Sequence, residues 1–236
     1  AQISAGYGHS LLLSTDGQVF GFGMNVQGQL GIGTPSEKEL HPVAVNMMGV
    51  LFKNVTHISV YQHGVMTDSH GDVFSYGDNM HGKLGDGTVI TRIGKHKIAN
   101  VLSAAFESST GDAHSLVLFS DGQVFAFGSN AYGQLGIEKI SEELVPQELL
   151  PIAIYTTGVL QGKIIIQISA GLVHSLVLSS DGQVFGFGDN TYGQLGIGRI
   201  TWSEKLPIAV NTTGALQGKR IVQMSAGTTH SLVLSS

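Results

Sequence analysis

One histidine position recurs along this chain, at His9, His63, His114, His174 and His230, with spacings of 54, 51, 60 and 56 residues. Soon after it come the pairs Asp16-Gly17, Asp121-Gly122 and Asp181-Gly182, with His70-Gly71 in the second copy. An aromatic-Gly-x-Asn run follows in the first four copies. These are the residue types of metal sites, acid–base pairs and phosphate loops. Asp181 and Asp189 have the chemistry of a general acid and base. An enzyme, however, needs one assembled site, and these groups return in every copy. The recurrence points to a shared structural duty: each imidazole ties its repeat to neighbouring backbone, and each aspartate forms a turn. The stretch "GFGMNVQG" from Gly21 follows a strand but leads into another turn, so it offers phosphate no helix N-terminus. No nucleophile, base and orienter occur together as a single set. The chain therefore reads as non-enzymatic, with neither a cofactor nor a metal site.

Composition narrows the field further. There are no cysteines, which excludes disulfides, thiolate metal sites and cysteine nucleophiles. The formal charge of −5 carries no basic tail and disfavours nucleic-acid binding. The small cluster Arg92, Lys95, His96 and Lys97 reads as a solvated loop. No apolar run reaches the roughly 18 residues of a membrane span. Asn54-Val55-Thr56 and Asn211-Thr212-Thr213 are glycosylation sequons and mark Asn54 and Asn211 as candidate modification sites. Since the chain starts at Ala1, an upstream segment is an open matter. The compartment stays open as well, intracellular or extracellular. Glycine is the informative excess: 33 of 236 residues, about twice ordinary usage, which calls for many tight turns.

The elements that must position these residues form a repeat. Residues 156–180 and 212–236 agree at 19 of 25 positions. Each copy reads as four strands. The run "IIIQISAG" (164–171) has the composition of a strand buried on both faces, and "HSLVLSS" is a second strand. The Asp181-Gly182 pair predicts a type I′ hairpin turn, like Gly17, Gly71 and Gly122 in their copies. In "QVFGFG", Phe185 and Phe187 share one face and small residues the other, which suits stacked sheets. The asparagines Asn25, Asn79, Asn130 and Asn190 cap the turn before Gly-Gln-Leu-Gly. Pro42, Pro151 and Pro207 mark outer edge strands. Helix is expected to be almost absent.

The pattern I-x-Q-I-S-A-G-x-x-H-S-L-V-L-S-S-D-G-Q-V-F-x-F-G-x-N-x-x-G-Q-L-G resembles the regulator of chromosome condensation repeat, and the resemblance covers essentially the whole chain. It implies an all-β fold, a β-propeller of four-stranded antiparallel blades. Four complete blades fall at approximately 1–54, 55–100, 101–163 and 164–219, and a partial fifth at 220–236. The usual number in the family is seven. The chain is thus expected to belong to a longer protein, with completion by another copy or an open repeat array as the rivals.

If shared residues serve the fold, function lies where the copies differ. The insertion from Ile137 to Leu150, with Glu138, Glu142, Glu143 and Glu148, is a candidate partner-binding loop. Leu172 and Val173, just before a repeated histidine, and the lone Trp202 are further candidate contacts. The leading expectation is a scaffold binding other proteins or copies of itself through an open blade edge. Two alternatives are an extracellular or surface-fibre subunit and, as the resemblance implies, a guanine nucleotide exchange factor for a small GTPase.

Overall fold

A computed structural model of the chain describes residues 1–46, 54–98, 104–138 and 146–236. The first sheet consists of β1 (Gln2–Ala5), β2 (His9–Leu13), β3 (Val19–Asn25) and β4 (Ser36–Ala44). The second holds β5 (Val55–Val60), β6 (His63–Asp68), β7 (Val73–Gly77) and β8 (Arg92–Lys97). The third holds β9 (Ala105–Thr110), β10 (His114–Phe119), β11 (Val124–Ser129) and β12 (Gln147–Ala153). The fourth holds β13 (Ile165–Ala170), β14 (His174–Ser179), β15 (Val184–Asp189) and β16 (Ser203–Ala209). Two strands, β17 (Ile221–Ala226) and β18 (Ser231–Ser235), form a fifth. Neighbouring strands in each sheet run antiparallel and in chain order. The helical content of the described residues is three 3₁₀ turns, at 80–82, 158–160 and 214–216.

The first strands of successive sheets lie side by side, β1 against β5, β5 against β9, β9 against β13 and β13 against β17. The sheets are therefore blades set around a common axis, first strand innermost and fourth strand outermost, with a proline on β4, β12 and β16. Among the described residues the blades form an open arc. Each hydrophobic cluster is shared by neighbouring blades: Leu11 with Ile58 and Tyr76, Val65 with Val117 and Phe127, Leu116 with Ile168 and Phe187, Leu176 with Met224. The Phe187 ring lies on Gly136 of the preceding blade, where an added Cβ would meet it at 2.9 Å. The ring thus packs on the Gly-Gln-Leu-Gly turn of the preceding blade and not on the small face of a third strand, whose Gly186 meets Leu176 and Leu195 of its own blade.

Three local expectations are revised. The inner strand β13 is not buried on both faces: burial alternates, and Ile166 is 45% exposed, because one side faces the axis instead of a second layer. The hairpin turn is not type I′. Gly17, Gly122 and Gly182 have φ near +82°, at +81°, +82° and +83°, while their aspartates do not have positive φ. The Gly17 N–H closes the turn on the Ser14 carbonyl at 3.1 Å, so a single left-handed residue suffices. Asp121 takes the Gln123 N–H at 3.0 Å. The basic cluster is a strand and not a solvated loop. Arg92 pairs with Asp86 at 2.7 Å, Lys97 with Asp72 at 2.6 Å, and Lys95 reaches the Asn46 carbonyl at 3.2 Å.

Candidate interaction face

Antiparallel blades sort their loops into two ends. The hairpin end carries the Asp-Gly turns and the links to the next inner strand. Its charges are paired there: Lys163 with Asp181 at 2.5 Å, Lys97 with Asp72, and Arg220 with the Ser180 carbonyl. The other end, the wide-loop end, carries the short turn before each histidine and the loop after each third strand. The Met24 N–H donates to Gly8 O at 2.8 Å and the Asp189 N–H to Val173 O at 3.0 Å, which joins the two loop types.

The repeated asparagine holds each wide loop. The Asn190 carboxamide accepts the Leu195 N–H at 3.1 Å and donates to the Arg199 carbonyl at 2.9 Å; Asn25 and Asn79 do the same in their blades. Asn130 likewise accepts the Leu135 N–H at 3.1 Å. The glutamine of Gly-Gln-Leu-Gly accepts a nearby N–H, as Gln134 does from Tyr132 at 2.9 Å. In the second blade Lys83 takes this place. It is buried, paired with Asp78 at 2.5 Å, and donates to Asp112 O at 2.9 Å.

The repeated histidines reach across blades, and their partner is a side chain, not backbone. Nε2 of His63, His114 and His174 meets the hydroxyl of Ser115, Ser175 and Ser231 of the next blade at 2.6, 2.8 and 3.0 Å. Each serine hydroxyl donates to a carbonyl in a wide loop of the histidine's blade: Lys83, Gln134 or Gln194, at 2.8, 2.8 and 2.7 Å. The serine can then only accept from the imidazole, so Nε2 carries the proton and Nδ1 is bare. Burial lowers the pKa of His9 and His174 to about 4 and of His114 to about 3, with His174 a secondary cause for His114. These are neutral ties, not ligands. His230 is exposed. His9 breaks the pattern: the second blade has Gly64 where the others have serine, and His9 Nε2 is buried without a partner. An added Cβ at Gly64 would meet the Tyr76 ring at 2.4 Å. Tyr76, standing where Phe127 and Phe187 stand, fills the space of the missing side chain.

The candidate contacts disperse. Trp202, 71% exposed, packs beside Tyr132 of the preceding blade, ring centroids 5.9 Å apart. Leu172 and Val173 are partly buried in the short turn before His174. Glu138 is exposed, Glu148 lies on outer strand β12 and not in a loop, and Glu142 and Glu143 lie outside the described residues. Asn54 precedes β5, and Asn211 follows β16 with its Oδ1 accepting the Thr213 N–H at 2.9 Å; both are exposed. Composition of the single copies could not flag Tyr7 and Tyr192, 70% and 74% exposed at this end; comparing copies at the turn before each histidine does single out Tyr7. Among the described residues no group of three or more acidic or histidine side chains could hold a metal ion. No helix there is long and apolar enough to cross a membrane.

Four-stranded blades around an axis, tied by buried histidines, define a β-propeller of which this chain forms an arc. It belongs to the Regulator of chromosome condensation (RCC1) repeat family, whose models match residues 16–63, 121–178 and 181–234, and 1–29 and 165–194. Over 216 residues it is 32% identical to the probable E3 ubiquitin-protein ligase HERC4 of Homo sapiens, covering 89% of this chain and 19% of HERC4. It is 28% identical over 236 residues to the ultraviolet-B receptor UVR8 of Arabidopsis thaliana, covering 99% of this chain and 50% of UVR8. The chain thus spans at most half the length of these curated relatives. The structure of human WBSCR16 superposes with a TM-score of 0.83 at 26% identity, over 100% of this chain and 57% of that one. Prp20p of Saccharomyces cerevisiae, whose binding to Gsp1p and histones has been characterised, gives 0.83 at 21% identity, over 99% and 55%. The latter likeness speaks for fold alone.

Proposed function

We propose that the chain is a non-enzymatic interaction module whose wide-loop end receives protein partners. The observation that carries this is the set of large apolar and aromatic side chains, Tyr7, Met24, Val26, Tyr192, Ile200 and Trp202, exposed at the wide-loop end. Exposed aromatic residues supply large contact area at low entropy cost and dominate binding energetics. The test is quantitative capture of partners by wild type, by Tyr192→Ala/Trp202→Ala, and by Lys163→Ala/Arg220→Ala. The expected outcome is loss of capture in the first variant and retention in the second. Equal capture by all three overturns the reading.

A second reading, guanine nucleotide exchange on a small GTPase, is favoured by one observation, the fold likeness to a protein that binds Gsp1p. It expects accelerated release of a fluorescent guanine nucleotide and loss of that effect on deletion of residues 138–146. Unchanged release across a panel of GTPases counts against it. Association with copies of itself belongs to the first reading. Sedimentation at rising concentration tests it.

A further inference from the structure

Five residues within two positions of the ends of the inner strands stand at the mouth of the axis: Tyr7, Tyr61, Asp112, Leu172 and Thr228. Backbone hydrogen bonds join the first two, and separately the third to fifth turns, across the blades. The Tyr7 N–H donates to Tyr61 O at 2.9 Å, Asp112 to Leu172 O at 3.3 Å, and Leu172 to Gly227 O at 3.3 Å. Lys83 Nζ links the middle of the arc, donating to Gln62 Oε1 at 3.3 Å and to the Asp112 carbonyl at 2.9 Å. The Tyr7 and Tyr61 rings lie 6.5 Å apart, tilted by 51°, and wall a cleft of about 360 Å³ with Met24, Val26, Gln27 and Gln62.

The electrostatics of this arc have one sign. Among the described residues no cation pairs with the Asp112 carboxylate. Lys83 is neutralised by Asp78 at 2.5 Å, and the buried histidines beneath, His9, His63 and His114, are held neutral by burial. The Tyr61 hydroxyl is pushed above its usual range by burial, then by Asp112 and by Tyr7, and Lys83 spans the residue next to Tyr61 and the Asp112 carbonyl. An aromatic face beside an unpaired carboxylate suits a planar cation, and a chain of net charge −5 attracts basic partners.

We propose that Tyr7, Tyr61 and Asp112 seat one arginine side chain of a protein partner, its guanidinium stacked on Tyr61 and ion-paired to Asp112. This rests on the wide-loop end being the interaction face. The test is a two-dimensional amide NMR titration with acetyl-Gly-Arg-Gly-amide, beside its lysine and citrulline counterparts. The arginine peptide is expected to shift the amides of residues 7, 61 and 112 saturably, the lysine peptide to bind more weakly and the citrulline peptide not at all. Asp112→Asn and Tyr61→Leu should each weaken binding about two- to fivefold, while the hairpin-end control Asp121→Asn binds like wild type. Equal binding of the three peptides, shifts confined elsewhere, or an Asp121→Asn loss as large as that of Asp112→Asn overturns the proposal. If partner capture depends on Trp202 and Tyr192 while these amides stay still, the arginine seat falls and the interaction face stands.

Discussion

Single residues in the blade contacts set opposing pH responses. A protonated His114 or His174 would bury an Nδ1–H with no acceptor, which is why burial lowers these imidazoles to about 3 and about 4. Their contribution to stability is complete above pH 6.5, the unfolded value, and is lost as pH falls towards 4. Glu107 works the other way. It occupies the place where Gln2 and Gln167 clip the next inner strand. Gln167 accepts the Met224 N–H at 3.0 Å and donates to its carbonyl at 3.2 Å. Glu107 accepts the Ile168 N–H but can match the donation only when protonated, and burial raises its pKa to about 7. His57 and Asp68 line the same cleft, and His57 is held neutral by burial, its pKa lowered to about 4. Relative to Glu107→Gln, the wild type should lose stability as pH rises from 4.5 to 7, by at most about 1.4 kcal/mol per pH unit. Urea midpoints across that range check this; parallel curves contradict it. Ser175→Ala strips His114 Nε2 and the Gln134 carbonyl of their partner and should cost about 1–3 kcal/mol by the same measurement. The Gln-to-Glu exchange is visible when the copies are aligned. Its buried setting depends on how β9 and β13 approach.

At the scale of elements, the hairpins and wide loops follow rules written locally. A left-handed glycine closes each hairpin, and an asparagine closes each wide loop on itself. Where one blade departs, a neighbouring element compensates: Gly64 on β6 comes with Tyr76 on β7. Gly64→Ser alone drives its Cβ into the Tyr76 ring and should destabilise, whereas adding Tyr76→Phe removes the hydroxyl 2.6 Å from that Cβ, frees the ring to shift, restores the Ser–Phe pair of the other blades and offers His9 a hydroxyl. A double-mutant cycle in chemical denaturation should therefore show a favourable coupling of about 1 kcal/mol or more. Additive effects would contradict it. Neither residue is unusual for its strand alone, so the pairing became readable only from the packing.

Over the whole molecule, the core lies between blades and not within them. Ile168 of the fourth blade packs in one cluster with Leu116 and Leu118 of the third. Ile168→Ala should cost about 2–5 kcal/mol and speed amide exchange on β10 as well as β14; an effect confined to β14 would argue for independent blades. The sequence by itself determined the repeat, the four-strand order, the outer prolines, the turn glycines and the near-absence of helix. Those features rest on local periodicity and backbone preference, and every copy states them again. Only the tertiary structure decided that the histidines bind the serine of the next blade, that the basic cluster on β8 is spent on Asp86 and Asp72, and that Tyr7 and Tyr61 face each other across a cleft. The histidine–serine and tyrosine pairs stand about fifty to sixty positions apart and meet through the angle between blades, which arises from packing across an interface that no single repeat contains; the ion pairs of β8 close within one blade, over 6 and 25 positions, through the course of its wide loop and hairpin.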